Sequence, residues 1–152
     1  MNKRNQKILK IVFSTLIAIF VLLLAYFLFP MSLIIKRLLF PFIVIFSIIF
    51  LVLGVVLVYL TLKLKIKGVL KKFLILTGIS AMSSFIFSLL HNLFYALEII
   101  GKNVAVLRYM MEVSHISSFI IALIISPIGF LIGSIGSIIL FKKKGGRHFS
   151  SR

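Results

Sequence analysis

The chain has 152 residues, of which 62% are hydrophobic and only 13% charged, and its mean hydropathy is +1.26. Soluble domains carry about 25% charged residues, so this composition excludes an ordinary water-soluble fold. The absence of cysteine excludes disulfides, thiol redox chemistry and Cys-ligated metal centres.

The charges fall in clusters and leave four long intervals without Asp, Glu, Lys or Arg: 11–35, 38–62, 73–97 and 113–141. A helix crosses the bilayer hydrocarbon with about 20 apolar residues. Each interval is long enough to cross once and too short to cross twice. Stretches such as "LIAIFVLLLAYFLF" (16–29) are apolar on every side, whereas strands of a membrane barrel alternate. The expected fold is all-α, an integral membrane bundle of four transmembrane helices spanning about 11–29, 38–62, 73–97 and 117–141. The whole chain forms one membrane domain.

The first span follows a basic start (Lys3, Arg4, Lys7, Lys10), as a signal peptide would. Its apolar run exceeds the usual 7–15 residues or so, and "AYFLFPMS" (25–32) lacks a small-x-small cleavage pattern, so an uncleaved span is expected. Pro30 closes this span, and Pro41 suits the first turn of the second. The first hairpin, 1–62, is bulky and apolar, and reads as a framework.

The net charge of +16 has a strong asymmetry. The N-terminus, the loop "KLKIKGVLKK" (63–72) and the tail "KKKGGRHFSSR" (142–152) hold fourteen of the eighteen Lys and Arg. Lys36, Arg37, Lys102 and Arg108 make up the rest. With four spans the three rich segments share one side, and the positive-inside rule makes it cytoplasmic, so the N-terminus and C-terminus are both expected there. The same basic rim would lie against the anionic headgroups of a lipid bilayer. No aromatic platform accompanies these lysines, so no nucleic acid partner is expected. Tyr26 and Tyr95 near the outer ends, and Tyr59 near an inner one, fit interfacial anchoring.

The third span carries the pattern of most interest. At 100° per residue, Thr77, Ser80, Ala81, Ser84, Ser88, His91, Tyr95 and Glu98 share one stripe, with Asn92 at its edge. Lipid offers such groups no partners, so the stripe should face protein or water. Ser84, Ser88, His91, Asn92, Tyr95 and Glu98 form a candidate polar intramembrane site. It is either a functional ladder for a proton or small ligand, or a set of hydrogen bonds that fixes helix pairing. The outer loop "NVAVLRYMMEVSH" (103–115) has apolar residues at helical spacing and reads as a short interfacial helix. Glu112 and His115 have the i, i+3 spacing of di-metal bundles, but the further carboxylates such sites need are missing. Pairing of Arg108 with Glu112 is the expected role, and no metal or cofactor is expected.

The fourth span places Ala122, Ser126, Gly129, Gly133, Gly136 and Ser137 on one face. Small residues let helices approach closely in membranes, so Ser126, Gly129, Gly133, Gly136 and Ser137 form a packing face toward the third span. Pro127 should free a carbonyl near position 123 for a neighbouring side chain.

"LTGISAMSSFIFSLLHNLFYALE" (76–98) with "SPIGFLIGSIGSIILF" (126–141) resembles an uncharacterised family of small prokaryotic four-helix membrane proteins. The resemblance rests on Thr77, Gly78, His91, Asn92, Tyr95, Ala96, Pro127, Gly133, Gly136 and Ser137. It covers residues 70–141, implies that this second hairpin is the family-like core, and brings no activity or cofactor.

Two function classes follow. The first is a non-enzymatic, multi-pass structural or interaction subunit of the prokaryotic cytoplasmic membrane, with a homo-oligomer or another membrane protein as partner. The alternative is a small oligomeric transporter or channel using the polar stripe around His91. Four spans resemble the architecture of small multidrug exporters, which couple protons through an intramembrane carboxylate that these spans lack. A membrane enzyme is not expected, because no carboxylate pair, Ser/His/Asp set or phosphate loop is present.

Overall fold

The computed structural model describes residues 3–101 and 103–146. Lys102, and Arg147 and Arg152 of the tail, lie outside the described residues. Every element found is helical: α1 (Lys3–Leu28), α2 (Leu33–Lys63), α3 (Val69–Ile100), α4 (Ala105–Ile120), a single π turn (Ile121–Ile125) and α5 (Ser126–Gly146). Among the described residues, four stretches are long and apolar enough to cross a membrane, the last being Ala105–Lys143 through the π turn.

The helices overrun the charge-free intervals, because those intervals measure hydrocarbon and not helix. Helix α2 starts at Leu33, where the Ser32 side chain caps the first turn by accepting from Ile35 N–H. Pro41 therefore sits inside α2 and not in its first turn. It leaves the Arg37 carbonyl without its i+4 donor, and the Tyr26 hydroxyl donates to the adjacent Lys36 carbonyl at 3.2 Å. The expected interfacial helix over 103–115 does not form a separate element. Helix α4 covers most of it, runs on through the π turn into α5, and packs along α3. Its apolar residues recur at helical spacing because the fourth span simply continues through them.

The two hairpins form a ring in which α1 packs on α2, α2 on α3, and α3 on α4 and α5. Phenylalanines close the ring between α1 and α5. Phe20 stacks on Phe130 with ring centroids 4.4 Å apart, Phe50 of α2 lies 5.3 Å from Phe130, and Phe13 meets Phe141 edge-on. This aromatic side is wide. The other side is narrow, because small residues line it. A Cβ added to Gly54 would lie 2.9 Å from the Gly78 carbonyl oxygen, and one added to Gly133 would lie 2.5 Å from Thr77 Oγ1 and 2.7 Å from Thr77 N. The α2–α3 turn depends on another glycine, Gly68, whose φ of 73° is left-handed.

Lys7, Lys10, Lys63, Lys71, Lys72, Lys142 and Lys143 gather at one end of the bundle, here the basic end. Lys63 Nζ sits 5.3 Å over the Tyr59 ring there. Burial is uneven along the bundle. Leu70, Leu74, Thr77, Gly78, Ser80 and Ala81 of α3 are buried, and no residue from Met82 to Ile100 is. Likewise α2 buries nothing before Ile43 and α1 nothing after Phe20. The molecule is tightly packed in its basic half and loosely packed in its far half.

Gly133→Ala should lower stability by about 1–3 kcal/mol, since its methyl group meets backbone that cannot turn aside. Ile135→Ala, on the lipid-facing side of the same helix, should stay within about 0.5 kcal/mol. Unfolding free energies of the two variants in detergent micelles test the contrast.

Candidate functional site

The polar stripe of α3 divides into two parts with different surroundings. In the basic half it is sealed. Thr77 is fully buried and returns its hydroxyl to the Phe73 carbonyl in its own helix at 2.9 Å. Added Cβ atoms at Gly129, Gly133 and Gly136 would collide with Ser80, Thr77 and Phe73 respectively. Ser126, Gly133 and Ser137 are buried and Gly129 and Gly136 half-buried, so the packing face expected from the sequence is turned toward protein. No room remains between these helices for a path through the basic half.

One turn further on, the two helices exchange a hydrogen bond. The π turn sends the Ser126 N–H back to the Ile121 carbonyl, five residues earlier. The Ala122 carbonyl has then lost Ser126 as donor, and the next nitrogen in this register belongs to Pro127, which has no hydrogen. Ser84 Oγ donates to that carbonyl at 3.3 Å. The freed carbonyl is thus one position before the one expected. Pro127, the π turn and Ser84 form one device, since a carbonyl left bare in lipid would be costly.

The far half holds a cluster built from α3 and α4. His91 Nδ1 lies 3.0 Å from the His115 carbonyl oxygen. A carbonyl only accepts, so Nδ1 is the donor in this bond. The His91 ring stands 5.4 Å from the His115 ring and 5.3 Å from Phe119, and Tyr95 meets His115 nearly at right angles at 5.7 Å. Glu98 Oε2 approaches His115 Nδ1 to 2.8 Å. The approach lies off the direction of the ring hydrogen, so both buried atoms lack an aligned hydrogen bond. Along α3, His91 is 19 residues beyond Lys72, which is about 28 Å of helix. The cluster therefore sits near the far boundary of a hydrocarbon layer about 30 Å thick.

The site as built differs from the six residues expected. Ser84, His91 and Glu98 face α4 or the π turn, and Tyr95 touches the cluster from its edge while remaining half-exposed. Ser88 and Asn92 point away from it and are exposed. Asn92 Nδ2 donates to the Ser88 carbonyl of its own helix at 2.8 Å and makes no bond to the fourth span. The residues missed are His115 and Phe119. Their signal was His115 at the edge of the fourth apolar run, hidden because it was paired with Glu112 within one helix and not with Glu98 across two. Arg108 and Glu112 are both exposed, and the ion pair expected between them does not form. Among the described residues, no group of three or more His, Cys, Asp or Glu is placed to hold a metal ion.

Ser84→Ala should cost about 0.5–1.5 kcal/mol by stranding the Ala122 carbonyl. In a Pro127→Ala background, where residue 127 regains its N–H, the same change should be nearly silent. A double-mutant cycle on unfolding in micelles measures this coupling, and equal costs in both backgrounds would refute it. No family model, curated protein or solved structure matches the chain.

Proposed function

We propose that this multi-pass membrane protein is a non-enzymatic structural or interaction subunit of the prokaryotic cytoplasmic membrane, with its basic end and both termini in the cytoplasm. The observation that carries this reading is the contrast between a sealed basic half and an uncovered far half that still displays polar side chains. Thr77, Ser80 and the glycines of α5 close the space that a solute or ion would need. Ser88 and Asn92, by contrast, are exposed, Ser88 about 24 Å along α3 from Lys72 and still within the hydrocarbon, and Asn92 at its far boundary. Such groups are useful on a helix that another helix will meet. The basic rim supports the orientation and an association with anionic lipid headgroups. The second hairpin, 70–141, is the specific half of the molecule in this reading, and the first hairpin its support.

One observation favours the alternative of a small oligomeric transporter or channel. Glu98 and His115 hold buried polar atoms without aligned partners, as a proton-carrying pair would. A path along the α3 stripe would then have to leave the chain beyond Ser80 and run between copies, because α5 closes the stripe in the basic half.

The two readings separate in proteoliposomes made from the full chain. The subunit reading expects proton and cation flux at the level of protein-free vesicles, and a stoichiometric assembly when the chain is extracted from its native membrane in mild detergent. Flux above that level, abolished by His91→Leu in a variant that still folds, would replace it with the transport reading.

A further inference from the structure

Positions 78, 81, 85, 88, 92, 95 and 99 of α3 alternate steps of three and four, the a/d spacing of a heptad seam. The first part of this seam is occupied. Gly78 and Ala81 are buried where Gly54 of α2 comes against them. The rest is bare: Phe85 is half-buried, and Ser88, Asn92, Tyr95 and Ile99 are exposed. A single seam thus runs the length of α3, filled by α2 at the basic half and empty at the far half.

We infer that a second copy of this chain fills the empty part, with the two α3 helices packed in parallel about a two-fold axis along the membrane normal and Asn92 paired with Asn92 of the other copy. The inference rests on the subunit reading above and names its partner. Five features select a copy of the chain. Asn92 spends one N–H on Ser88 O, and its carbonyl oxygen accepts nothing among the described residues. The part of α2 that stands opposite cannot supply a partner, because Ser47 returns its hydroxyl to Ile43 and the residues from Leu38 to Phe46 are all apolar or Pro41. Two copies inserted with the same topology bring Asn92 to the same height. The amide is both donor and acceptor, so it complements itself across a two-fold axis. A lone asparagine at an a position is also the residue that sets a parallel, two-stranded register. Ser88 on one side and Ala96 on the other are small enough to let the backbones approach.

The natural chain has no cysteine, so single cysteines can be placed without background. In native membrane vesicles, oxidation should link two copies through cysteines at Ser88, Asn92, Tyr95 and Ile99, and not through Leu90, Phe94 or Leu97. In vesicles reconstituted with the purified full chain, energy transfer between labelled copies should report a dimer. Asn92→Leu should raise its dissociation constant by about 3- to 20-fold, the range for one interhelical polar contact in lipid, and Asn92→Gln should recover most of the loss. Ser88→Cys tests the same seam without touching the amide, should Asn92 variants fail to fold. A dimer yield without the three–four period, or capture of α2 of the same chain by way of Phe40→Cys, would overturn the inference. If the seam cysteines link only to a different polypeptide, the second copy is excluded while the subunit reading stands. If they link to nothing and the chain extracts as a monomer, both fail.

Discussion

Close approach of helix backbones in the basic half is the constraint on which the rest of this structure depends. In lipid there is no hydrophobic drive to bring one apolar helix against another, and packing must supply the attraction. Gly54 against Gly78, and Gly129, Gly133 and Gly136 against Ser80, Thr77 and Phe73, remove the side chains that would hold α3 away from its neighbours. The gain is short-range dispersion over two long contacts. The phenylalanines on the opposite side of the ring do the reverse job. Phe20, Phe50 and Phe130 fill the wider space between α1, α2 and α5, so the bundle closes without small residues there.

That packing decides where polar chemistry can stand. Since the glycine face of α5 seals the stripe of α3 up to Ser80, any unusual polar group must be placed beyond it. The first is Ser84, which mends the interruption that Pro127 and the π turn create. The next are His91, His115 and Glu98, where the loosening of the bundle lets two imidazoles and a carboxylate sit between α3 and α4 near the membrane boundary. A sealed half and an open half are thus parts of one arrangement, and the transition between them falls near Ala81.

The number, type and approximate placing of the helices were legible in the sequence, because hydrocarbon admits only backbone that satisfies itself. The Gly129–Gly133–Ser137 face was legible for a related reason, as small residues at helical spacing have one use between helices. Helix ends were less legible. Lys36, Arg37 and Glu112 stop the hydrocarbon without stopping the helix, so α2 and the fourth span extend past them. The site was half legible. Spacing within α3 put His91 and Glu98 on one line, but whether Asn92 turned to the fourth span or to its own helix depended on an angle near the edge of that line. His115 escaped because its partners lie on another helix, and one chain read alone gives no register between helices.

The change in packing near Ala81 also sets how the protein meets the thickness of its bilayer. Helix α3 has 32 residues, about 48 Å of helix, against a hydrocarbon layer about 30 Å deep. A rigid rod of that length would have to tilt as a whole. Here only one end is locked, so the two hairpins can lean apart or together at the other without breaking a buried contact. A thinner or thicker membrane would be accommodated by that angle, leaving the glycine contacts untouched.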